Sequence, residues 1–115
     1  MNQNELNQLI RDFCEDRDWD QFHSIKDLAI GLSTESSELL QLFRFKDNEQ
    51  SLEYLKENRK KVEDECADVY YYLLRLADLY KIDLNQALEN KMMDNEKKYP
   101  KELVKGKNLK YNEYK

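Results

Sequence analysis

Two glycines and one proline are the only turn-formers of their kind in 115 residues. An all-β fold needs many turns, so a chain this poor in them is pushed toward helices. At this length one domain with a small core is expected. Charged side chains make up 37% of the chain, which suits a polar-surfaced helical protein. The pattern of apolar residues then sets the helices. Residues 3–15 place Leu6, Leu9, Ile10 and Phe13 on one face. The segment RDWDQFHS, residues 17–24, reads as a loop, with Phe22 as its anchor. Ser24 reads as an N-cap with Asp27 as its acidic partner, opening a helix over 25–45. KDNEQS, 46–51, reads as a loop. A third helical region spans 52–80, with room for a break in its charged first half. Asp83 and Gln86 open a fourth helix over 84–98, which ends before Pro100. The tail from about 101 is basic and aromatic and reads as irregular. The expected architecture is an all-α antiparallel bundle of about four helices in one domain, 1–115, completed by oligomerisation.

Net charge is −5 at pH 7, which argues against a general nucleic-acid binder. It leaves room for a phosphate ligand bridged by a divalent cation. Cys14 and Cys66 show no metal-ligand spacing. No long apolar run and no signal peptide is visible, so a soluble cytoplasmic chain without membrane partners is expected.

Two helices carry carboxylates where apolar side chains belong. On the second, Leu28, Leu32, Leu39 and Leu42 form a stripe; Glu35 falls inside it and Glu38 at its edge. On the third, Val62, Val69, Leu73, Leu76 and Tyr80 form a stripe flanked by Glu65, Asp68 and Tyr72. If the stripes pack on one another, four acidic groups converge. Like charges at close range raise each other's pKa, and a hard divalent cation such as Mg²⁺ or Mn²⁺ removes that conflict. Taken singly, a Glu pair at i, i+3 most often marks a solvated face. Two such pairs beside apolar stripes on consecutive helices favour the metal reading.

At these residues the chain resembles the MazG-like nucleotide pyrophosphohydrolases, all-α NTP pyrophosphatases. The motifs that carry the resemblance are ESSE (Glu35, Glu38) and ECAD (Glu65, Asp68), similar to the family's E-x-x-E and E-x-x-D pairs. RDWDQFH, LFRFK with Phe45, NEKKYP and the tail KGKNLKYNE resemble the dCTP pyrophosphatase-like branch, and the likeness runs over nearly the whole chain. The resemblance implies Mg²⁺-dependent hydrolysis of a nucleoside triphosphate to monophosphate and diphosphate, and a homodimer or homotetramer. It implies nucleotide-pool house-cleaning as the role, with dCTP as the type of substrate. It assigns Glu35, Glu38, Glu65 and Asp68 as metal ligands, with Glu35 or Glu38 also handling the attacking water. Substrate-binding roles fall on Trp19, His23, Phe45, Tyr72, Asn95, Lys98, Lys107 and Lys110. Trp19 would stack on a base and His23 would bond a base or sugar edge. Ser36 stands where many relatives have a second Glu, and Phe45 where branch members often have Trp; both bear on base preference. The same chemistry on dUTP or a broad set of nucleotides is one alternative. A non-catalytic helical oligomer that binds metal or nucleotide is another.

Finally, Tyr70 and Leu74 lie off the main stripe of the third helix. So wide an apolar arc predicts a subunit interface there.

Overall fold

Capping chemistry decides where the helices begin. The computed structural model of the chain describes residues 1–114. Asn2 and Glu5 form a reciprocal capping box at the start of α1 (Gln3–Asp16), with N–O distances of 2.9 and 3.1 Å. Ser24 caps α2 (Ile25–Gln41) by accepting from the Asp27 N–H at 3.1 Å, as expected. Asp83 caps α5 (Leu84–Lys98) by accepting from Gln86 N–H. The reciprocal half of that box is not formed, because the Gln86 amide turns along the helix to Asn90 instead.

Three boundaries differ from expectation. α2 ends at Gln41, not near 45, because Leu42 to Phe45 tighten into turns in which Phe43 N–H bonds Leu40 C=O and Lys46 N–H bonds Phe43 C=O. The stretch expected as loop at 46–51 instead starts α3 (Asn48–Glu57). Its polar residues serve as caps: Asp47 and Gln50 bond each other's backbone N–H groups at 2.8 and 2.9 Å. The anticipated break falls at Asn58, which ends α3 and opens α4 (Arg59–Leu79) with φ −128° and ψ 38°. The tail is not wholly irregular either. One helical turn, α6 (Lys101–Val104), follows Pro100, whose C=O accepts from Leu103 and Val104, and a 3₁₀ turn covers Tyr111–Glu113. The described residues hold six α-helices and no strand.

The chain divides into two compact units, Met1–Lys81 and Ile82–Lys115. In the first, α2 packs along α4, and α1 and α3 also pack on α4. Bidentate bonds of 2.6 and 2.5 Å from Arg11 to Asp78 tie α1 to the far end of α4. The deepest apolar residues are Cys14, Leu28, Leu74 and Ala77. Leu74 is thus buried within its own chain, a correction to its expected place on a subunit surface. Helices on two sides of α4 cover a wider arc than the single stripe anticipates. Tyr70 stays half-exposed, and Tyr80, expected in the stripe, lies at the exposed end. In the second unit, α5 leaves Leu88, Met92 and Met93 exposed. No helix among the described residues is long and apolar enough to cross a membrane.

Candidate active site

The register between α2 and α4 assembles the acidic groups. Tyr72 of α4 lies against Gly31 of α2. One turn along, Glu35 shares a cavity with Asp68, and Glu38 interacts with Glu65 beyond it. As numbers rise on α2 they fall on α4, so the two helices are antiparallel. Gly31 makes this approach possible. A Cβ there would fall 2.7 Å from two ring carbons of Tyr72, well inside van der Waals contact. A glycine inside a helix costs about 1 kcal/mol relative to alanine, which close packing of an aromatic ring offsets.

Glu35, Glu38 and Glu65 each bring one carboxylate oxygen within 4.8 Å of the others. Asp68 stands beside this triple, lining the same cavity as Glu35 and adding its charge there. Glu35 Oε2 and Glu65 Oε2 are buried and have no hydrogen-bond partner. Unpartnered buried acceptors are costly, so these oxygens are set up for a ligand that supplies positive charge or protons. The electrostatics agree. Burial, then hydrogen bonding with Glu38, then the charges of Glu38, Asp68 and Glu65 push the Glu35 carboxyl up to about 7. Burial and the charges of Glu38 and Asp68 also raise Glu65. The Tyr72 phenol rises as well, through burial and the charges of Glu35 and Asp68.

Beside the carboxylates lies a cavity of about 300 Å³ lined by Phe13, Trp19, Glu35, Asp68, Tyr71 and Tyr72. It therefore has an aromatic wall and an acidic wall. Trp19 packs edge-on against Phe13, with centroids 5.5 Å apart, and keeps 41% of its surface exposed. Tyr71 and Tyr72 meet edge-on at 5.1 Å, and the Tyr71 hydroxyl lies 3.3 Å from the Cys14 thiol. The structure thus brings together Trp19, Glu35, Glu38, Glu65, Asp68 and Tyr72.

The remaining expected residues stand elsewhere or differently. His23 Nδ1 is occupied, accepting from Arg75 Nε at 3.2 Å, so only the other edge of its ring is left for a ligand. Phe22 is not the anchor of its loop, being 62% exposed. The loop is held instead by Trp19 N–H to Cys14 C=O, by Tyr80 Oη to His23 C=O, and by Arg75. Phe45 does not line the cavity; its ring is 85% exposed and lies under the Arg44 guanidinium. Asn95, Lys98, Lys107 and Lys110 belong to the second unit. There the Lys98 ammonium lies 5.6 Å from the Tyr111 ring centre, and both residues line a separate cavity of about 360 Å³. Asn95 is half-buried, with its amide toward Met92 Sδ, and Tyr114 Oη reaches Lys107 C=O at 3.4 Å. Lys110 N–H bonds Glu113.

Pattern reading missed Phe13, Tyr71 and Arg75. Phe13 belonged to the core stripe of α1, and a stripe residue at the end of a helix can wall a cavity. Tyr71 is three residues beyond Asp68, a spacing that puts both on one side of α4. Arg75 had one usable signal, a lone cation inside the apolar run LLRLA.

Comparison with known proteins places these features in context. A model of the MazG-like family matches residues 30–113. The chain is 34% identical over 109 residues to dCTP pyrophosphatase 1 of Bos taurus, covering 93% of this chain and 64% of that protein. With the Homo sapiens protein of the same name it shares 34% identity over 111 residues, covering 95% and 65%. The chain therefore spans under two thirds of the length of these relatives. A crystal structure of a pyrophosphatase from Archaeoglobus fulgidus superposes with a TM-score of 0.81 at 39% identity, covering 84% of this chain and 91% of that one.

Proposed function

The chain belongs to the MazG-like family, and on that premise we propose that it hydrolyses a nucleoside triphosphate to the monophosphate and diphosphate. The observation that carries this reading is the cluster of Glu35, Glu38 and Glu65 with two buried, unpartnered oxygens beside an aromatic-walled cavity. An all-carboxylate donor set fits a hard divalent cation, with Mg²⁺ first and Mn²⁺ second. Glu35, Glu38, Glu65 and Asp68 would hold it. Bound there, the ion offsets triphosphate charge, aligns the phosphates and lowers the pKa of the attacking water.

The chain's own residues supply the rest. Glu35 or Glu38 would also orient or deprotonate the attacking water, Glu35 being the one that lines the cavity beside Asp68. Trp19 offers a half-exposed face on which a base stacks, and Phe13 holds its edge. The Tyr72 hydroxyl, kept protonated by burial and by its acidic neighbours, would donate to sugar or phosphate oxygens. Asn95 is proposed to bond base or sugar, and Lys98, Lys107 and Lys110 to grip outer phosphates, as the likeness of their segments to the family implies. Phe45 is proposed as a contact of the base. The relatives named dCTP pyrophosphatase 1 support dCTP as the leading substrate, and nucleotide-pool house-cleaning is the role proposed with it. A homodimer or homotetramer is supported by the exposed Ile30, Leu40 and Leu52; a 14.0 kDa particle in light scattering would refute it.

The test is diphosphate release from dCTP, dUTP and a panel of other triphosphates with Mg²⁺. Glu38→Ala and Asp68→Asn should remain folded and lose turnover by about 10²-fold or more. Release by both variants at the native rate overturns the assignment. No release from any nucleotide by the native chain leaves a binding oligomer in its place.

A further inference from the structure

Arg75 is the most buried charged group described, 1% exposed, and the acidic cavity makes no use of it. It sits on α4 seven residues after Asp68 and three after Tyr72, one helical face further along the same flank. Its guanidinium reaches out of the core to one short segment. Nε donates to His23 Nδ1 at 3.2 Å, and Nη2 donates to the carboxylate of Asp20, to which it is also ion-paired. Both partners lie on the 3₁₀ turn Asp20–Phe22 and its C-cap, His23. Trp19 is the residue that caps this turn at its start, and Trp19 walls the cavity.

Two consequences follow from the chemistry of the pair. Guanidinium nitrogens only donate, so His23 Nδ1 must be the unprotonated acceptor. The neutral ring then carries its proton on Nε2, and the free edge of His23 is a hydrogen-bond donor. A buried guanidinium also disfavours a second positive charge beside it. Burial and Arg75 hold the His23 pKa below its usual value, against the opposing pull of Asp20 and Asp27. Besides Arg75, the turn is held by Trp19 N–H to Cys14 C=O and by Tyr80 Oη to His23 C=O. Asp18, just before it, has φ 54°, an unfavourable conformation for a non-glycine residue. Phe22 and Trp19 leave much of their surfaces in solvent.

We infer that Arg75 is a positioning residue, which ties the Trp19 turn to α4, the helix of Glu65 and Asp68, and fixes His23 as an Nε2–H donor. Trp19 is thereby held as a stacking face on the cavity, and His23, four residues later, carries one donor of defined direction. Such an edge selects a ligand with a carbonyl-type acceptor beside its ring, the pattern of a pyrimidine or its close analogues. The ligand assignment rests on the function proposed above; the tautomer and the anchoring do not.

The sequence makes the test clean, since it holds one His and one Trp. Nitrogen-15 imidazole spectra report the His23 tautomer directly, and fluorescence reports Trp19. The native chain should show the Nε2–H tautomer alone. Arg75→Met removes the charge at similar volume and should give mixed tautomers with a red-shifted, more quenchable Trp19. With nucleotide, KM should rise about tenfold or more while kcat stays within about threefold, the pattern of lost ground-state positioning. Asp20→Asn, at a half-exposed position, keeps the fold safe if the Met variant unfolds. It should loosen Trp19 with a smaller rise in KM. Arg75→Lys, with one donor point rather than a fork, should restore the tautomer only in part. A native His23 in the Nδ1–H tautomer overturns the inference. So do folded Arg75 variants in which tautomer, fluorescence and KM are all unchanged. If no nucleotide is hydrolysed, the two spectroscopic measurements still decide the anchoring.

Discussion

Glu35→Gln separates what the acidic cluster costs the fold from what it supplies to the reaction. In the metal-free chain the Glu35 carboxyl is raised from an ordinary 4.5 to about 7. The folded state therefore binds the proton more tightly than the unfolded state. By linkage, stability falls as pH rises from about 4.5 through about 7 and is level above that. The full shift corresponds to at most about 3 kcal/mol. Glu35 lies at the rim of an open cavity, so solvent screening reduces this to about 1–2 kcal/mol. Glutamine keeps the shape and removes the charge. At pH 8 the metal-free variant should be more stable than the native chain by about that amount, a rise in Tm of about 4–8 °C for a chain of this size. At pH 4.5 the two should melt together. Thermal melts by circular dichroism in EDTA, taken at half-unit pH steps, measure the difference. Millimolar Mg²⁺ should then reverse the order at pH 8, since an ion bound only by the folded state stabilises it. Turnover by the variant should be nearly abolished. A variant less stable than the native chain at pH 8 in EDTA would refute the claim that burial and neighbouring carboxylates oppose ionisation of Glu35. A pH-independent difference would refute the cause assigned to it.

Two further perturbations probe the walls of the cavity. Gly31→Ala puts a methyl group against the Tyr72 ring; after the helix-propensity gain, the net loss should be about 1–2 kcal/mol in chemical denaturation. The displaced ring should also raise KM, and a stabilised variant with native KM would show that the ring yields freely. Trp19→Ala removes a ring that is 41% exposed, so Tm should change by only a few degrees while KM rises about tenfold or more. Unfolding of that variant would place Trp19 in the core rather than in the site.

The parts of this molecule that were legible in its sequence are those governed by local chemistry. Ser24 and Asp83 announce their helices because an oxygen before an apolar run satisfies N–H groups that nothing else can reach. Glu35 stands out because a carboxylate inside an apolar stripe has no structural excuse, and Glu65 because it flanks the stripe of the next long helix with Asp68 one turn on. The same local logic misled at KDNEQS. A cluster of polar residues reads as loop, yet Asp47 and Gln50 are polar because they cap α3. The site's remaining members depend on register between helices distant in sequence. Tyr72 could be placed beside Asp68 by spacing alone, but its contact with Gly31 requires knowing how α2 lies on α4.

Arg75 marks the limit most clearly. Periodicity assigns each position of a helix to a face and puts Arg75 well off the stripe of Val62, Val69, Leu73, Leu76 and Tyr80, yet packing buries it. Composition says that a cation cannot stay there alone. Together these statements demand an acidic partner and a neutral acceptor, but not where in the chain they are. The partners turn out to be Asp20 and His23, more than fifty residues earlier. Both lie in the one segment whose composition, a Trp, a Phe and the single His within five residues, fitted neither helix nor strand. Each anomaly accounts for the other. A buried cation needs polar groups brought to it by irregular backbone, and an irregular turn needs a rigid anchor to hold an aromatic ring at the edge of a cavity. A lone cation inside an apolar helix run and an unexplained aromatic turn elsewhere in a sequence are thus worth pairing as one contact.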